Sequence, residues 1–200
     1  PAVEYDDPVY REKFCRIVRQ EVDRMNALIH RLLAFSRPAT PELQPVRLGQ
    51  VVDETLEFLQ GTFLEKHVKV EKHVTHTDEI LADPNQLKQA LLNVLVNGVD
   101  AMSRGGVLGV QTERHNGFVD LSVRDSGCGI SKKDLGRVFD PFYSKKEGGT
   151  GLGLSVVHSI IRSHGGTVNI VSTEGQGTTV VMKLPVQGGR DDTSTHPHRG

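Results

Sequence analysis

Four glycines crowd positions 148 to 153 in the stretch EGGTGLGLSVV, Glu147 to Val157, and an apolar run follows them at once. A backbone this bare, opening into a helix, is suited to close approach by a phosphate group, because free N–H groups and the helix dipole both favour an anion. The two commonest designs for that purpose do not fit. Gly148 and Gly153 have the spacing of the phosphate loop G-x-x-x-x-G-K-[ST], but Leu154 stands where its lysine must be. Gly151 and Gly153 lack the third glycine of the dinucleotide fingerprint. The glycines therefore call for a different nucleotide fold.

The order of elements narrows the choice. From Asp7 to Ser36, Cys15, Val18, Val22, Met25, Ile29 and Leu32 alternate at steps of three and four, the seam of a coiled-coil helix. Prolines 38, 41 and 45 then mark a linker. Beyond it the reading is a strand at Pro45–Leu48, a helix over Gln50–Lys66, and strands at VKVEKHV and EILAD. Asp83 reads as an N-cap with Pro84 at the first helical position and Gln86 at the third, for a helix reaching about Met102. A hairpin turns at His115-Asn116-Gly117, a loop-rich stretch follows, Leu152–His164 reads as a helix stopped by Gly165, and a last hairpin ends at Pro185. Strands and helices do not alternate, so the expected fold is α+β: a two-layer sandwich with helices on one face of a mixed, mostly antiparallel sheet, preceded by one long helix. The expected divisions are a helix unit at 1–37, a linker at 38–45, the α/β domain at 46–186, and a disordered tail at 187–200.

Three clusters carry chemistry. On the helix after Asp83, Asn93 and Asn97 lie one turn apart and share a face with Asp100, Gln86 and Gln89. Amide oxygens suit Mg²⁺, though a solvated polar face would read the same way. Asp125 leaves an alternating strand into a turn loosened by Gly127 and Gly129. An ionised carboxylate only accepts hydrogen bonds, so it matches the donor amine of adenine and not the carbonyl of guanine, unless the segment is an ordinary turn. In FDPFYSKKEGG, Phe139, Phe142 and Tyr143 read as packing anchors for a mobile segment, and Lys145 and Lys146 as point charges for phosphate.

Taken in order, NQLKQALLNVLVNGVDAM, VRDSGCGI, FDPFYSKK and GGTGLGLSVVHSIIRSHGGTV resemble the ATP-binding boxes of sensor histidine kinases, and the likeness extends through EGQGTTVVMKLP. GGTGLGLS then resembles the last box of the Bergerat-type ATP fold, shared with gyrase, heat-shock-90 and MutL-type ATPases. The resemblance implies roles. Asn97 would hold the Mg²⁺ that bridges the ATP phosphates, with Asn93 beside it, and Asp100 belongs to the same face. Asp125 would take the adenine amine, Gly127, Gly129 and Ile130 would shape the base pocket, and Thr178 would support it through water. Lys145, Lys146, Gly149, Thr150, Gly151, Leu152 and Gly153 would form a short lid and the phosphate contacts. RMNALIHRLLAFSRP resembles the second dimerisation helix of the same family.

The family's acceptor motif, histidine followed by glutamate, is not present around any of the nine histidines. His30 reads as solvent-facing, His158 as surface and His164 as a helix cap. The expectation is a preceding helix, outside this chain, that carries the acceptor. Asn93 stands where related ATPases place a general base, so slow hydrolysis is expected. Gly98 stands where the family usually has Ala. The expected partners are a response regulator receiver domain and a second copy through the helix over about 8–36. A net charge of −1 gives no reason to expect nucleic acid or membrane contact, and two cysteines fit a reducing, cytoplasmic setting. A serine kinase that inhibits a sigma factor and a non-catalytic ATP-gated scaffold are the competing readings.

Overall fold

The structure is a computed structural model that describes residues 40–74, 79–146 and 149–186, with Arg11, Glu12, Phe14, Cys15 and Val18 from the first segment. The chain forms two compact units, Pro1–Arg37 and Pro38–Gly200. In the first unit the five described residues are helical. The rest of the apolar seam, from Val22 to Leu32, and His30 lie outside the described residues, as does the expected tail.

In the second unit a five-stranded sheet runs in the order β2 (Val68–His73), β4 (Gly106–His115), β5 (Phe118–Asp125), β7 (Gly177–Pro185), β6 (Thr167–Thr173). Only β2 and β4 are parallel; every other pair is antiparallel. A separate two-stranded ribbon joins β1 (Gln44–Arg47) to β3 (Glu79–Ala82). The mixed, mostly antiparallel sandwich is the expected one. β1 begins inside the segment read as linker.

The helices are α1 (Leu48–Phe58), α2 (Gln60–Glu65), α3 (Pro84–Ala101), α4 (Lys132–Leu135) and α5 (Gly153–Ser163). Gln50–Lys66 was expected as one helix, but the chain breaks at Leu59, which caps both pieces and turns Phe63 into the core. The four-residue α4 lies in the stretch expected to be loop. Burial alternates along β5, where Val119, Leu121 and Val123 face the helices and meet Val180, Met182 and Leu184 of β7. Leu87, Leu91, Val94 and Leu95 of α3 and Val156, Val157, Ile160 and Ile161 of α5 close the layer above them. Fully burying each of these large side chains is worth roughly 1.5–3 kcal/mol, which sets the helix layer against one face of the sheet.

Two helices of the layer, α3 and α5, are tied at their ends. Asp83 caps α3, its Oδ1 accepting from Asn85 N at 3.0 Å and Gln86 N at 3.2 Å. A capping box would return the Gln86 side chain to the Asp83 N–H. Instead that N–H donates to His164 Nε2 at 2.9 Å, and His164 Nδ1 donates to the Ile160 carbonyl at 2.8 Å. One buried imidazole in a single neutral tautomer thus joins the start of α3 to the end of α5. Among the described residues no helix is long and apolar enough to cross a membrane.

Candidate functional site

A cavity of about 450 Å³ opens between α3, the sheet ends of β5 and β7, and the segment from α4 to α5. Its floor is a cross-strand row. Asp125, the last residue of β5, sits directly opposite Thr178 of β7, and Thr178 sits opposite Ser172 of β6. The next row on the same face, Val123, Val180 and Ile170, supplies an apolar wall. A flat, largely apolar slot with acceptors at its inner end suits a heterocyclic base.

Asp125 is the buried carboxylate of this slot, only 7% exposed. Its Oδ1 accepts from Gly127 N at 2.8 Å and from Thr178 N at 3.3 Å. Burial pushes its carboxyl above the usual carboxylate range, and those two N–H groups and the Lys146 ammonium offset part of that cost. Gly98 of α3 explains how the helix comes so close. A Cβ at that position would lie 2.9 Å from Leu108 Cδ1 and 3.4 Å from Asp125 Cβ, so the missing methyl group is space the strand end occupies. A glycine inside a helix costs about 1 kcal/mol of helix propensity relative to Ala, and here it allows the close approach of Leu108 and Asp125.

Gly129 and Ile130 line the slot beside Asp125. Gly129 has φ +67°, and a Cβ there would fall 2.1 Å from the Thr173 carbonyl oxygen, so no other residue fits. Cys128, between Gly127 and Gly129, is exposed and also borders the cavity.

At the opposite end, Asn97 and Asp100 line the cavity from α3, and Gly151 and Gly153 line it from the start of α5. A Cβ on Gly153 would stand 3.4 Å from Asn97 Nδ2 and 3.9 Å from Asn93 Oδ1, so both amides face the N-terminus of α5. Asn93 and Asn97 are therefore not simply a solvated face. Leu152, expected among the phosphate contacts, is 3% exposed as the N-cap of α5 and does not line the cavity. Thr150 accepts from Leu152 N at 3.4 Å, and Gly149 N donates to the Lys146 carbonyl at 3.0 Å, so both shape the turn into α5.

Lys145 and Lys146 each pair with a carboxylate. Lys146 pairs with Asp100 at 3.1 Å, and Lys145 pairs with Asp134 of α4. Asp134 is buried at 7% exposure and also accepts from Ser131 Oγ and, at 2.7 Å, from the Tyr143 hydroxyl. Lys145 foremost, then Ser131 and Tyr143, holds the Asp134 carboxyl well below the usual carboxylate range. Both lysines meet carboxylates, so a phosphate would have to displace these partners. The aromatic anchors also separate. Phe139 packs on His158 with ring centroids 5.3 Å apart, and His158 is half-buried. Tyr143 lies under Arg137 at 4.4 Å. Phe142 is 65% exposed with φ +66°, a rare conformation for an aromatic residue, and Gly151 sits against its backbone.

Residues 82–188 match the family described as histidine kinase-, DNA gyrase B-, and HSP90-like ATPases. The chain belongs to this family. Within it, the similarity runs to sensor kinases. The sensor histidine kinase ZraS of Escherichia coli (strain K12) is 35% identical over 181 residues, covering 90% of this chain and 39% of that protein. The signal transduction histidine-protein kinase AtoS of the same strain is 37% identical over 182 residues, covering 90% of this chain and 30% of the relative. Among solved structures, full-length ShkA in complex with AMPPNP superposes with a TM-score of 0.79 at 27% identity, over 88% of this chain and 38% of that one. The chain thus spans well under half the length of these relatives. Their similarity extends over nine-tenths of it, beyond the 82–188 match.

Two participants escaped sequence reasoning. Asp134 gave no signal, because its partners lie nine and eleven residues on in an irregular stretch. Ser172 did: a hairpin centred on Gly175 must pair it with Thr178.

Proposed function

We propose that this chain is the ATP-binding catalytic part of a sensor histidine kinase, which transfers the γ-phosphate of ATP to a histidine on a separate helix for relay to the receiver aspartate of a response regulator. The observation that carries the reading is the polarity of one cavity. The buried carboxylate of Asp125 lines it among apolar residues, and the Asn97 amide lines it beside Gly151 and Gly153 at the start of α5.

Asp125 accepts the adenine amine, while Gly127, Gly129 and Ile130 shape the pocket around the ring and Thr178 supports it. The triphosphate runs toward Gly151 and Gly153, where the first N–H groups of α5 offer donors. Asn97, with Asn93 beside it, fits Mg²⁺ in one particular way. Among the described residues no group of three carboxylate, histidine or cysteine side chains is placed to hold a metal by itself. A site of one or two amide oxygens needs phosphate oxygens to complete it, so the ion would arrive with the nucleotide. The bound ion would supply charge neutralisation on the phosphates. Asp100 and Asp134 hold Lys146 and Lys145 until phosphate competes for them.

Phosphoryl transfer is largely positioning and charge stabilisation, and the nucleophile must be supplied in line. Asn93 cannot take a proton from water, so the site favours a delivered imidazole over hydrolysis. The similarity of sensor kinases over 90% of this chain supports this reading over the serine kinase and scaffold alternatives. The helix over about 8–36 would pair with its copy in the parent, in a cytoplasmic setting.

Calorimetry of Mg²⁺-ATP binding tests the pocket, with GTP and Asp125→Asn as controls. Saturable ATP binding that the substitution weakens and GTP does not reproduce is expected. A folded sample that binds neither nucleotide sinks the reading. Incubation with ATP and a histidine hairpin from a related kinase then tests the chemistry. Acid-labile phosphate on the hairpin is expected, and stable phosphoserine on a partner would favour the serine kinase instead.

A further inference from the structure

Ser172 belongs to none of the sequence boxes, yet its hydroxyl touches three groups at the inner end of the cavity. Ile130 N donates to Oγ at 2.8 Å, the Gly177 carbonyl lies 2.9 Å from Oγ, and Thr178 Oγ1 lies 2.9 Å away. A serine hydroxyl has one proton and two lone pairs. The backbone N–H can only donate and the carbonyl can only accept. One proton order therefore satisfies all three contacts: Ser172 donates to Gly177, and Thr178 donates to Ser172. The Thr178 hydroxyl proton is then spent below the site. Only lone pairs of Thr178 remain for the cavity it lines, next to the Asp125 carboxylate.

We propose that Ser172 is a specificity-determining positioning residue: by accepting the Thr178 proton, it leaves the inner end of the pocket with acceptors only, and so selects a purine that presents an amine at carbon 6 over one that presents a carbonyl. This deepens the ATP-binding reading and rests on it. The amine of adenine offers two N–H groups to two acceptors, directly or through a water. At carbon 6 hypoxanthine presents an oxygen in place of that amine, so the acceptor there is left facing an oxygen. Removing the Ser172 hydroxyl frees the Thr178 proton to turn toward the cavity and donate to that oxygen.

The test is the ratio of ATP to inosine triphosphate affinity, measured by calorimetry on the full chain with Mg²⁺. Ser172→Ala should lower the wild-type preference for ATP about tenfold, the scale of one purine-edge hydrogen bond. Ser172→Thr keeps the hydroxyl and should keep the preference. In a Thr178→Val background, Ser172→Ala should leave the ratio where it is, because no hydroxyl remains to reorient. A structural role alone would weaken both nucleotides equally in either background, and an unchanged ratio in folded Ser172→Ala overturns the proposal while ATP binding stands. If Ser172→Ala does not fold, Ser172→Thr decides: loss of the preference in that variant overturns the proposal. Failure of the folded wild type to bind ATP overturns the underlying reading together with this one.

Discussion

Asp125 carries opposed consequences for stability and recognition at the scale of a single residue. Its folded carboxyl titrates above the unfolded one because burial disfavours the charge. A raised folded value means a contribution that is favourable below the unfolded pKa and lost as the pH rises through the folded one. Above that folded value the ionised carboxylate is therefore a cost to the nucleotide-free domain. Asp125→Asn keeps an oxygen for the Gly127 and Thr178 N–H groups and removes that cost. Thermal melting without nucleotide should rise by roughly 2–4 °C, about what 1 kcal/mol does in a domain of this size, while ATP affinity falls tenfold or more. A variant that melts lower than wild type and still prefers ATP would overturn both halves. A strand-end Asp before two glycines also reads as an ordinary turn, so the sequence singled out Asp125 only through the family resemblance of the surrounding boxes. Its oxygen-by-oxygen bonding was not legible there, since Thr178 is 53 residues away.

Two features belong to the scale of elements. The first is the joint between α3 and α5. Asp83→Ala removes the cap from Asn85 and Gln86 and should cost about 1 kcal/mol. His164→Ala leaves the half-buried Asp83 N–H without its imidazole acceptor and should cost about 1–3 kcal/mol. Urea denaturation measures each, and the two should be less than additive because they share the Asp83 backbone. The second is the lid root, where Asp134 gathers Lys145, Tyr143 and Ser131. Its depressed pKa means stabilisation that is present above the unfolded carboxylate value and lost only as the pH falls through the folded one. Asp134→Asn removes the charge that pairs with Lys145 and leaves one oxygen for the Tyr143 and Ser131 hydroxyls. Trypsin cleavage after Lys145 and Lys146 should accelerate several-fold with the main unfolding transition little moved, and saturating Mg²⁺-ATP should restore protection. Equal cleavage rates would mean that the ion pair does not hold the lid.

Ligand linkage gives the test at the scale of the whole molecule. Mg²⁺-ATP at a hundred times its dissociation constant should stabilise the α/β unit by about 2.7 kcal/mol, and GTP at the same concentration by much less. Hydrolysis without an acceptor should stay far below the roughly 1 s⁻¹ at the slow end of ordinary enzymes, because Asn93 offers no base.

The sequence by itself determined what local chemistry can encode. Turn and cap residues, the period-two runs of β4 to β7, the amide face of α3 and the glycine run into α5 together specify the sandwich and the kind of ligand, because each acts on neighbours within a few residues. Only the tertiary structure decided which groups meet across strands and helices. It put Ser172, Thr178 and Asp125 in one row, gave the Asp83 N–H to His164, and paired Lys145 with Asp134 and Lys146 with Asp100. Those pairings depend on sheet register and helix packing, which are settled by burying the whole core at once and by no single segment within it.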